Sequence, residues 1–396
     1  MSHKSSVIYN LQQCIKCMKC VKACPVSALS MEKNQIVIDH DKCINCGQCI
    51  RTCHNGGLVA LGSDPDEAKK YEYSVCMVPS ALTSCCQSME EAAELFHAIK
   101  ELGFDEVVDL SPIEGQLLSE VRKKAGEIHP GCGIAPFCPV VNHLIEQNYP
   151  MLIDRVIGMD YASEIMARQI RKRPGGEKIG IFLCCECEAK LALAKHPYGD
   201  DSFETDHAMA VMELFPRIRQ NMSSAVEPVC FCKEGLQSCN TYMMPKSPEY
   251  LIADGFDKIN DILSMEEFDM LEAFELLQLY PCFNGCIGGH LLWGNSYLVK
   301  HNIEALTKDG TKPPMELPVE ELEGTVISEK SDDFHSLKEK LSFFSQVNDI
   351  LERLPGFDCS ACGVRTCRIM AEEIAKGNKH LEDCRVLLAV RKGSAK

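Results

Sequence analysis

The sequence lacks long apolar runs and an export signal. None of its 396 residues fall in a stretch that approaches the roughly 18 apolar residues needed to cross a bilayer, so we expect no membrane span. The first eleven residues contain no apolar segment like that of a secretory signal peptide, and we therefore expect a protein that stays in the cytoplasm.

An excess of positive charge is also missing, which argues against a nucleic-acid partner. The formal net charge is −16, although residues 1–62 carry seven lysine or arginine residues against three aspartate or glutamate residues. The basic residues of this segment include Lys16, Lys19 and Lys22, which lie between cysteines and can offset the charge of an anionic metal site.

Cysteine is abundant, at 25 residues. Without export, so many cysteines favour metal thiolates over disulfides and predict a reducing cytoplasm, as in an anaerobe. The chain is long enough for two to four domains, and its 45% hydrophobic content is ordinary for a globular protein.

Two tandem cysteine runs near the N-terminus have the spacing of a two-cluster ferredoxin. In such runs the last cysteine of each binds the other 4Fe–4S cluster. The rule predicts one cluster on Cys14, Cys17, Cys20 and Cys53, and another on Cys43, Cys46, Cys49 and Cys24. Zinc is the alternative, because paired C-x2-C spacings also suit zinc.

A third set of cysteines lies near the C-terminus. Its members are Cys359, Cys362, Cys367 and Cys384, with a predicted helix over 365–376 between the third and the fourth. The set resembles a small iron–sulfur module found in redox complexes, corrinoid proteins and some signalling proteins. We expect one 4Fe–4S cluster here, with zinc again as the alternative.

Between these sites the pattern indicates alternating strands and helices. We predict strands over 74–78, 104–110 and 178–184, and helices after Ser88, over 140–148 and over 265–277. The fold class is therefore α/β (α+β overall), with largely parallel sheets. The predicted domains are a ferredoxin-type domain at 1–62, a two-lobed α/β domain at 74–308, a linker and helix at 309–353, and a helical 4Fe–4S module at 354–396.

Three separated loops of the central region carry further cysteines. Cys138 follows Pro136-Phe137, Cys187 begins C-E-A-K, and the third loop reads C-F-N-G-C-I-G-G from Cys282 to Gly289. These stretches resemble the three signature loops of the iron-only (FeFe) hydrogenases, T-S-C-C-P, M-P-C-x-x-K and C-x-x-G-C-x-G-G. The resemblance covers residues 1–300, and the C-terminal module fits the sensory-type branches of that family.

The resemblance implies specific roles for these loops. Cys138, Cys187, Cys282 and Cys286 would hold a 4Fe–4S cube. Cys286 would also bridge to a diiron subcluster carrying CO and CN, and Lys190 would pair with a cyanide ligand. Cys286 and Lys190 are thus the candidate catalytic residues.

Several positions depart from the family pattern. Phe137 replaces a cysteine that relays protons in catalytic branches, and Cys185-Glu186 replaces Met-Pro in the second loop. Cys185, Glu186 or His290 could relay protons instead, or could simply be core residues. Cys230, Cys232 and Cys239 could join Cys184 or Cys185 in one more metal site, or pack as small apolar side chains.

We therefore weigh three functions. The first is a hydrogenase-like enzyme that exchanges electrons with a ferredoxin or a partner redox subunit and interconverts protons and H2. The second is an H2 sensor that signals through a partner, because no output domain is recognisable in the sequence. The third is an electron-transfer subunit of a larger complex whose central site holds only a 4Fe–4S cluster.

Overall fold

The structure is a computed structural model that describes residues 5–128, 131–195, 203–223, 227–308, 310–328 and 337–393. The chain forms two compact units. The first contains the N-terminal segment through Cys43, residues Gly47–Val59 and the C-terminal helices, and the second contains Ile44–Cys46 and the chain from Ala60 onward. Most of the predicted 1–62 segment thus shares one unit with residues 354–396, whereas residues 44–46 and 60–62 belong to the second unit. Of the predicted linker and helix at 309–353, residue 309 and residues 329–336 lie outside the described residues.

The strands and helices are numbered in chain order. The strands are β1 Val7–Tyr9, β2 Leu29–Glu32, β3 Gln35–Ile38, β4 Leu58–Ala60, β5 Tyr73–Val78, β6 Glu106–Asp109, β7 Gly133–Ile134, β8 Ile179–Cys185, β9 His207–Ala210, β10 Tyr250–Asp254 and β11 Leu276–Tyr280. The helices are α1 Lys19–Ala23, α2 Gln48–Thr52, α3 Ser80–Thr83, α4 Met89–Lys100, α5 Ser111–Ala125, α6 Pro139–Asn148, α7 Ala162–Arg171, α8 Glu188–Lys195, α9 Val211–Asn221, α10 Lys233–Ser238, α11 Phe256–Glu266, α12 Val299–Leu306, α13 Val319–Leu322, α14 Leu337–Leu351, α15 Cys367–Ala375 and α16 Arg385–Gly393. Within the described parts of the chain, no helix has the length and apolarity of a membrane span.

Two parallel sheets organise the second unit. The first has the strand order β6-β5-β8-β9, and the second has the order β10-β11-β7. Every pairing in both sheets is parallel, for example Cys76 opposite Phe182 and Leu277 opposite Ile134. All seven residues of β8 are buried, as expected for a strand covered on both faces. The α/β prediction is confirmed.

The helix predicted after Ser88 is confirmed, whereas the one over 265–277 is wrong. The Ser88 side chain accepts a hydrogen bond from the Glu91 N–H and caps α4. Helix α11 already ends at Glu266, Asp269 adopts a left-handed φ of 54°, and the chain then enters the buried strand β11. The apolar residues of the predicted helix do not share one buried face, because Phe268 and Met270 are exposed and continuous burial begins only at Leu276.

The two N-terminal cysteine runs share one backbone pattern. Lys16 and Met18 adopt left-handed φ angles of 59° and 61°, and the equivalent Asn45 and Gly47 adopt 53° and 69°. A short helix, α1 or α2, follows each pair. Left-handed backbone costs free energy for residues other than glycine, so its repetition indicates two loops that curl around similar centres.

Candidate metal centres

The first predicted N-terminal set converges on one cavity. Cys14, Cys17, Cys20 and Cys53 all line a space of about 520 Å³, its open mouth included. Burial raises the pKa of the Cys20 thiol to about 11, and Cys53, Cys17 and Cys14 add to the shift. The structure therefore brings Cys53, from the second run, to the first three cysteines.

Backbone N–H groups donate hydrogen bonds to cysteine sulfur atoms of both N-terminal sets. Lys16 donates to Cys14 Sγ at 3.4 Å, Ala28 to Cys24 Sγ at 3.2 Å, and Gly57 to Cys53 Sγ at 3.2 Å. Such hydrogen bonds favour the thiolate form, which is the form that binds metal.

In the second N-terminal set, three members meet in the apolar core of the first unit. Cys24 and Cys49 are buried there, and Cys43 packs against them. Cys24 and Cys43 interact electrostatically, and Cys43 Sγ lies 3.3 Å from Ser5 Oγ. Cys46 is half-buried.

The C-terminal set lines a cavity of its own. Cys359, Cys362, Cys367 and Cys384 surround a space of about 310 Å³, its open mouth included. Thr366 caps α15, which begins at Cys367. A small core beneath the cavity includes Val347 of α14 and Met370 of α15.

The central cysteines come from the ends of parallel strands. Cys138 lies just beyond β7 and caps α6, Cys187 lies between β8 and α8, and Cys282 follows β11. Because β8 belongs to one sheet and β7 and β11 to the other, the three loops meet where the carboxyl ends of both sheets face one region. Parallel sheets commonly bind ligands at such ends.

The four central thiols are close enough to influence one another. Burial raises the pKa of Cys138 to about 11 and raises those of Cys187, Cys282 and Cys286 further. The Cys282 thiol interacts with Cys138 and Cys286, and the Cys187 thiol interacts with Cys282. Each of the four keeps part of its surface uncovered despite this burial, as expected for side chains that face an internal space.

Backbone contacts hold the third loop against the second. Leu291 N donates to Glu186 O at 3.1 Å, and a Cβ at Gly289 would lie only 2.3 Å from the same oxygen. At Gly285, with φ of +91°, a Cβ would lie 2.6 Å from Cys239 O. Glycine at these positions lets the loop that carries Cys282 and Cys286 approach its neighbours closely.

A cavity of about 660 Å³, its open mouth included, adjoins Cys286. Cys286 and Lys190, both expected from sequence, line it together with Phe137 and Glu186 of the signature loops. The lining also includes Cys239, and it includes Glu114, Tyr161 and Tyr280, which the sequence analysis did not consider. Glu114 could have been recognised as a cavity residue from its place in the first turn of α5, directly after β6. A helix that follows a parallel strand begins at the edge of the sheet where ligands bind.

Charged side chains, among them Lys190, Glu186 and Glu114, also line this cavity. Lys190 Nζ pairs with the carboxylate of Glu186, whose side chain is 1% exposed. Burial opposes the charge on Lys190, but Glu186, Cys286 and Glu114 raise its pKa well above the ordinary value. Burial also raises the pKa of Glu114 to about 7, although Lys190 acts in the opposite direction, and the Ser80 N–H donates to that carboxyl at 3.1 Å.

The remaining cysteines discussed above are dispersed. Cys184 lies 3.6 Å from Cys76 between strands, Cys232 contacts Glu234, and Cys239 lies beside the central cavity. Throughout the described ranges, no three cysteine, histidine or acidic side chains are close enough to share a single metal ion. A 4Fe–4S cube spreads its four thiolates more widely than one zinc ion does.

Of the other relay candidates, Cys185 is buried within β8, and His290 Nδ1 lies 3.5 Å from Glu188. Glu186 alone of the three lines the cavity.

The residues present fit iron–sulfur cofactors. Soft thiolates in sets of four suit 4Fe–4S cubes, and the central set adds a cavity with a cation beside Cys286. Phe137 and Glu186 both line that cavity, and the Glu186 carboxylate adds negative charge to it.

Comparison with known proteins gives three family matches. Residues 6–54 match a "4Fe-4S dicluster domain", residues 75–227 match "Iron only hydrogenase large subunit, C-terminal domain", and residues 354–386 match "Putative Fe-S cluster". The second match ends before the loop at Cys282.

A curated relative, an uncharacterized protein of Methanocaldococcus jannaschii, is 47% identical over 45 residues, which are 11% of this chain and 20% of that protein. The chain thus spans about a fifth of its length. Among solved structures, a variant FeFe-hydrogenase from Chlamydomonas reinhardtii is 13% identical, with a TM-score of 0.47 over 66% of this chain and 95% of that one. An FeFe-hydrogenase that reveals stepwise H-cluster assembly is 14% identical, with a TM-score of 0.44 over 63% and 87%.

The family matches define the class: the chain combines iron–sulfur cluster domains with a domain of the iron-only hydrogenase type. More particularly, it is FeFe-hydrogenase-like across residues 75–227 and has an N-terminal ferredoxin-type domain.

Proposed function

We propose that this protein passes electrons through 4Fe–4S clusters to a central H-cluster-like site, where it interconverts protons and H2 or senses H2. The observation that carries the proposal is the cavity beside Cys286, which has Lys190 on its wall and lies next to three further buried cysteines. Two clusters would sit in the ferredoxin-type domain and one in the C-terminal module, on the cysteine sets described above.

In this proposal Cys138, Cys187, Cys282 and Cys286 would hold a cube, and Cys286 would also hold a diiron subcluster that carries CO and CN. That subcluster would supply the iron chemistry for forming or splitting H2. Lys190 holds a fixed positive charge toward an anionic ligand, and the buried tyrosines Tyr161 and Tyr280 help to keep water out.

One observation favours a second candidate, an electron-transfer subunit with only a cube at the centre. The carboxylate of Glu186 already pairs with Lys190, so the cation has a counter-ion within the protein itself. Phe137 lines the same space and cannot carry protons. Electrons would then leave through a partner redox subunit, and a ferredoxin is the natural donor for either function.

Infrared spectroscopy tests the proposal. Protein coexpressed with the hydrogenase maturation enzymes should show CO and CN stretching bands and contain about 18 irons, whereas four cubes alone give about 16 irons and no bands. In Cys286→Ser the bands should vanish. In the control Cys85→Ala, which removes a buried thiol that donates to Ala81 O instead of facing the cavity, they should persist.

The outcomes separate the candidates. Bands with H2 turnover support the enzyme, and bands without turnover support the sensor. A fully cluster-loaded protein without bands overturns the diiron assignment and leaves the electron-transfer subunit.

A further inference from the structure

The C-terminal cysteine loop contacts the ferredoxin-type domain directly within the first compact unit. The Met31 N–H, on β2, donates to the carbonyl of Gly363 at 2.8 Å. Gly363 directly follows Cys362, has φ of +93°, and would place a Cβ only 2.4 Å from Met31 O. Only glycine fits this approach without a backbone shift.

Arg365 makes the second part of this contact. Its Nη1 atom donates to the backbone carbonyls of Cys24 and Pro25, each at 2.8 Å. Arg365 is itself held in place, because the buried Ser360 hydroxyl donates to its carbonyl at 3.0 Å. Arg365, from the C-terminal cysteine loop, therefore hydrogen-bonds to the backbone of Cys24, which belongs to a predicted N-terminal cluster site.

The charge of Arg365 also lies close to the Cys24 cluster site, because its guanidinium donates to the backbone carbonyl of Cys24 itself. A 4Fe–4S cluster on four thiolates is anionic, and reduction adds one more negative charge. A nearby fixed cation in a partly buried site favours the reduced form.

We propose that Arg365 couples the C-terminal cluster to the N-terminal cluster held by Cys24 as one redox pair, and that its charge raises the reduction potential of that N-terminal cluster. The inference rests on the cluster assignments of the proposed function. One electron leaves the reduced cluster of the pair, which becomes oxidised, and enters the other, which becomes reduced. No bond is formed or broken and no proton moves. An external iron–sulfur protein of the ferredoxin class supplies or removes the electron.

Redox titration of the full-length, cluster-loaded protein, followed by electron paramagnetic resonance, tests the inference. In Arg365→Met, one N-terminal cluster should become about tenfold harder to reduce, or about 59 mV more negative for one electron. Arg365→Lys keeps the charge but loses the planar fork, so its potential should stay closer to wild type. The magnetic interaction between the two reduced clusters should weaken in Gly363→Ala, which displaces the loop while leaving Arg365 in the chain.

Arg368→Met is the matched control. Arg368 lies in the first turn of α15, three residues after Arg365, but its half-exposed side chain pairs with Glu372 at 3.6 Å and not with the Cys24 loop. Equal shifts in R365M and R368M, or unchanged potentials and unchanged coupling in R365M and G363A, would overturn the inference.

Iron content separates the possible failures. Wild-type protein without C-terminal or N-terminal cubes contradicts the cluster assignments themselves. Fully loaded protein whose potentials ignore Arg365 contradicts only the coupling. If R365M loses the C-terminal cluster, R365K decides. A full iron content with a wild-type potential supports the electrostatic role, and a full iron content with a potential as negative as that of R365M refutes it.

Discussion

Removing the cation of the central cavity should destabilise the second unit strongly. Lys190→Met leaves the Glu186 carboxylate without its partner, at a position where the side chain is 1% exposed and water cannot replace the ammonium group. Breaking a buried ion pair from one side costs about 3–5 kcal/mol. At about 2–4 °C per kcal/mol for a domain of this size, the apparent Tm should fall by about 6–20 °C.

A double-mutant cycle isolates the pair from other effects of the substitutions. Glu186→Gln removes the charge from the other side, and the combined variant should lose less stability than the two single losses added together, by about 0.5–3 kcal/mol. The assay is circular dichroism during anaerobic heating at one fixed scan rate, on samples matched for iron content. Matching is needed because cluster loss itself changes the unfolding transition.

Lys172→Met serves as the control. Lys172 pairs with Glu321 at 2.7 Å in the same unit, but the Lys172 side chain is 56% exposed, so its loss should cost less than about 1 kcal/mol. The prediction fails if Lys190→Met lowers the stability no more than Lys172→Met does, or if the losses from Lys190→Met and Glu186→Gln simply add. Either result would mean that water reaches the Glu186 carboxylate and that the ion pair does not stabilise the cavity.

Three further predictions follow from the same structure. Burial raises the pKa of Glu164 to about 7, so between about pH 4.5 and 7 this carboxyl is protonated in the folded state and ionised in the unfolded state. The stability of the wild-type protein should therefore fall as the pH rises through that range. Glu164→Gln should flatten the fall, which hydrogen exchange of α7 can measure. A constant difference between the two proteins across that range would contradict the assigned pKa. Gly289→Ala should displace the third loop at a cost of about 1–3 kcal/mol and lower the central iron content. Gly158→Ala is the control and should do neither, because a Cβ at Gly158 would lie 4.0 Å from its nearest neighbour. Equal iron loss in both variants would refute the steric argument. Cys384→Ser should remove about four irons and leave both ferredoxin-type clusters intact in electron paramagnetic resonance spectra, and loss of all clusters would show that the sites do not load independently.

Local chemistry determined what the sequence alone could predict. Each N-terminal cysteine run places its first three cysteines within seven residues, so one curled loop brings them together, and the left-handed backbone recurs at equivalent positions of both runs. The Ser88 cap and the buried strand β8 are likewise readable from neighbouring residues. The helix predicted over 265–277 failed because its apolar spacing does not correspond to one buried face: Phe268 and Met270 are exposed, and the chain turns at Asp269 before the buried strand β11.

Tertiary structure alone decided which distant groups meet. Cys138, Cys187 and Cys282 are brought together by the strand order of two sheets, and Glu114 enters the same cavity because α5 starts at the carboxyl edge of one of them. The hydrogen bond from Arg365 to the carbonyl of Cys24 joins residues from opposite ends of the sequence. It lies beside the close approach of Gly363 to the backbone of Met31, which only a glycine allows. Cysteine spacing specifies the ligands of a cluster within one loop, but contacts between loops depend on packing, which no short stretch of sequence encodes.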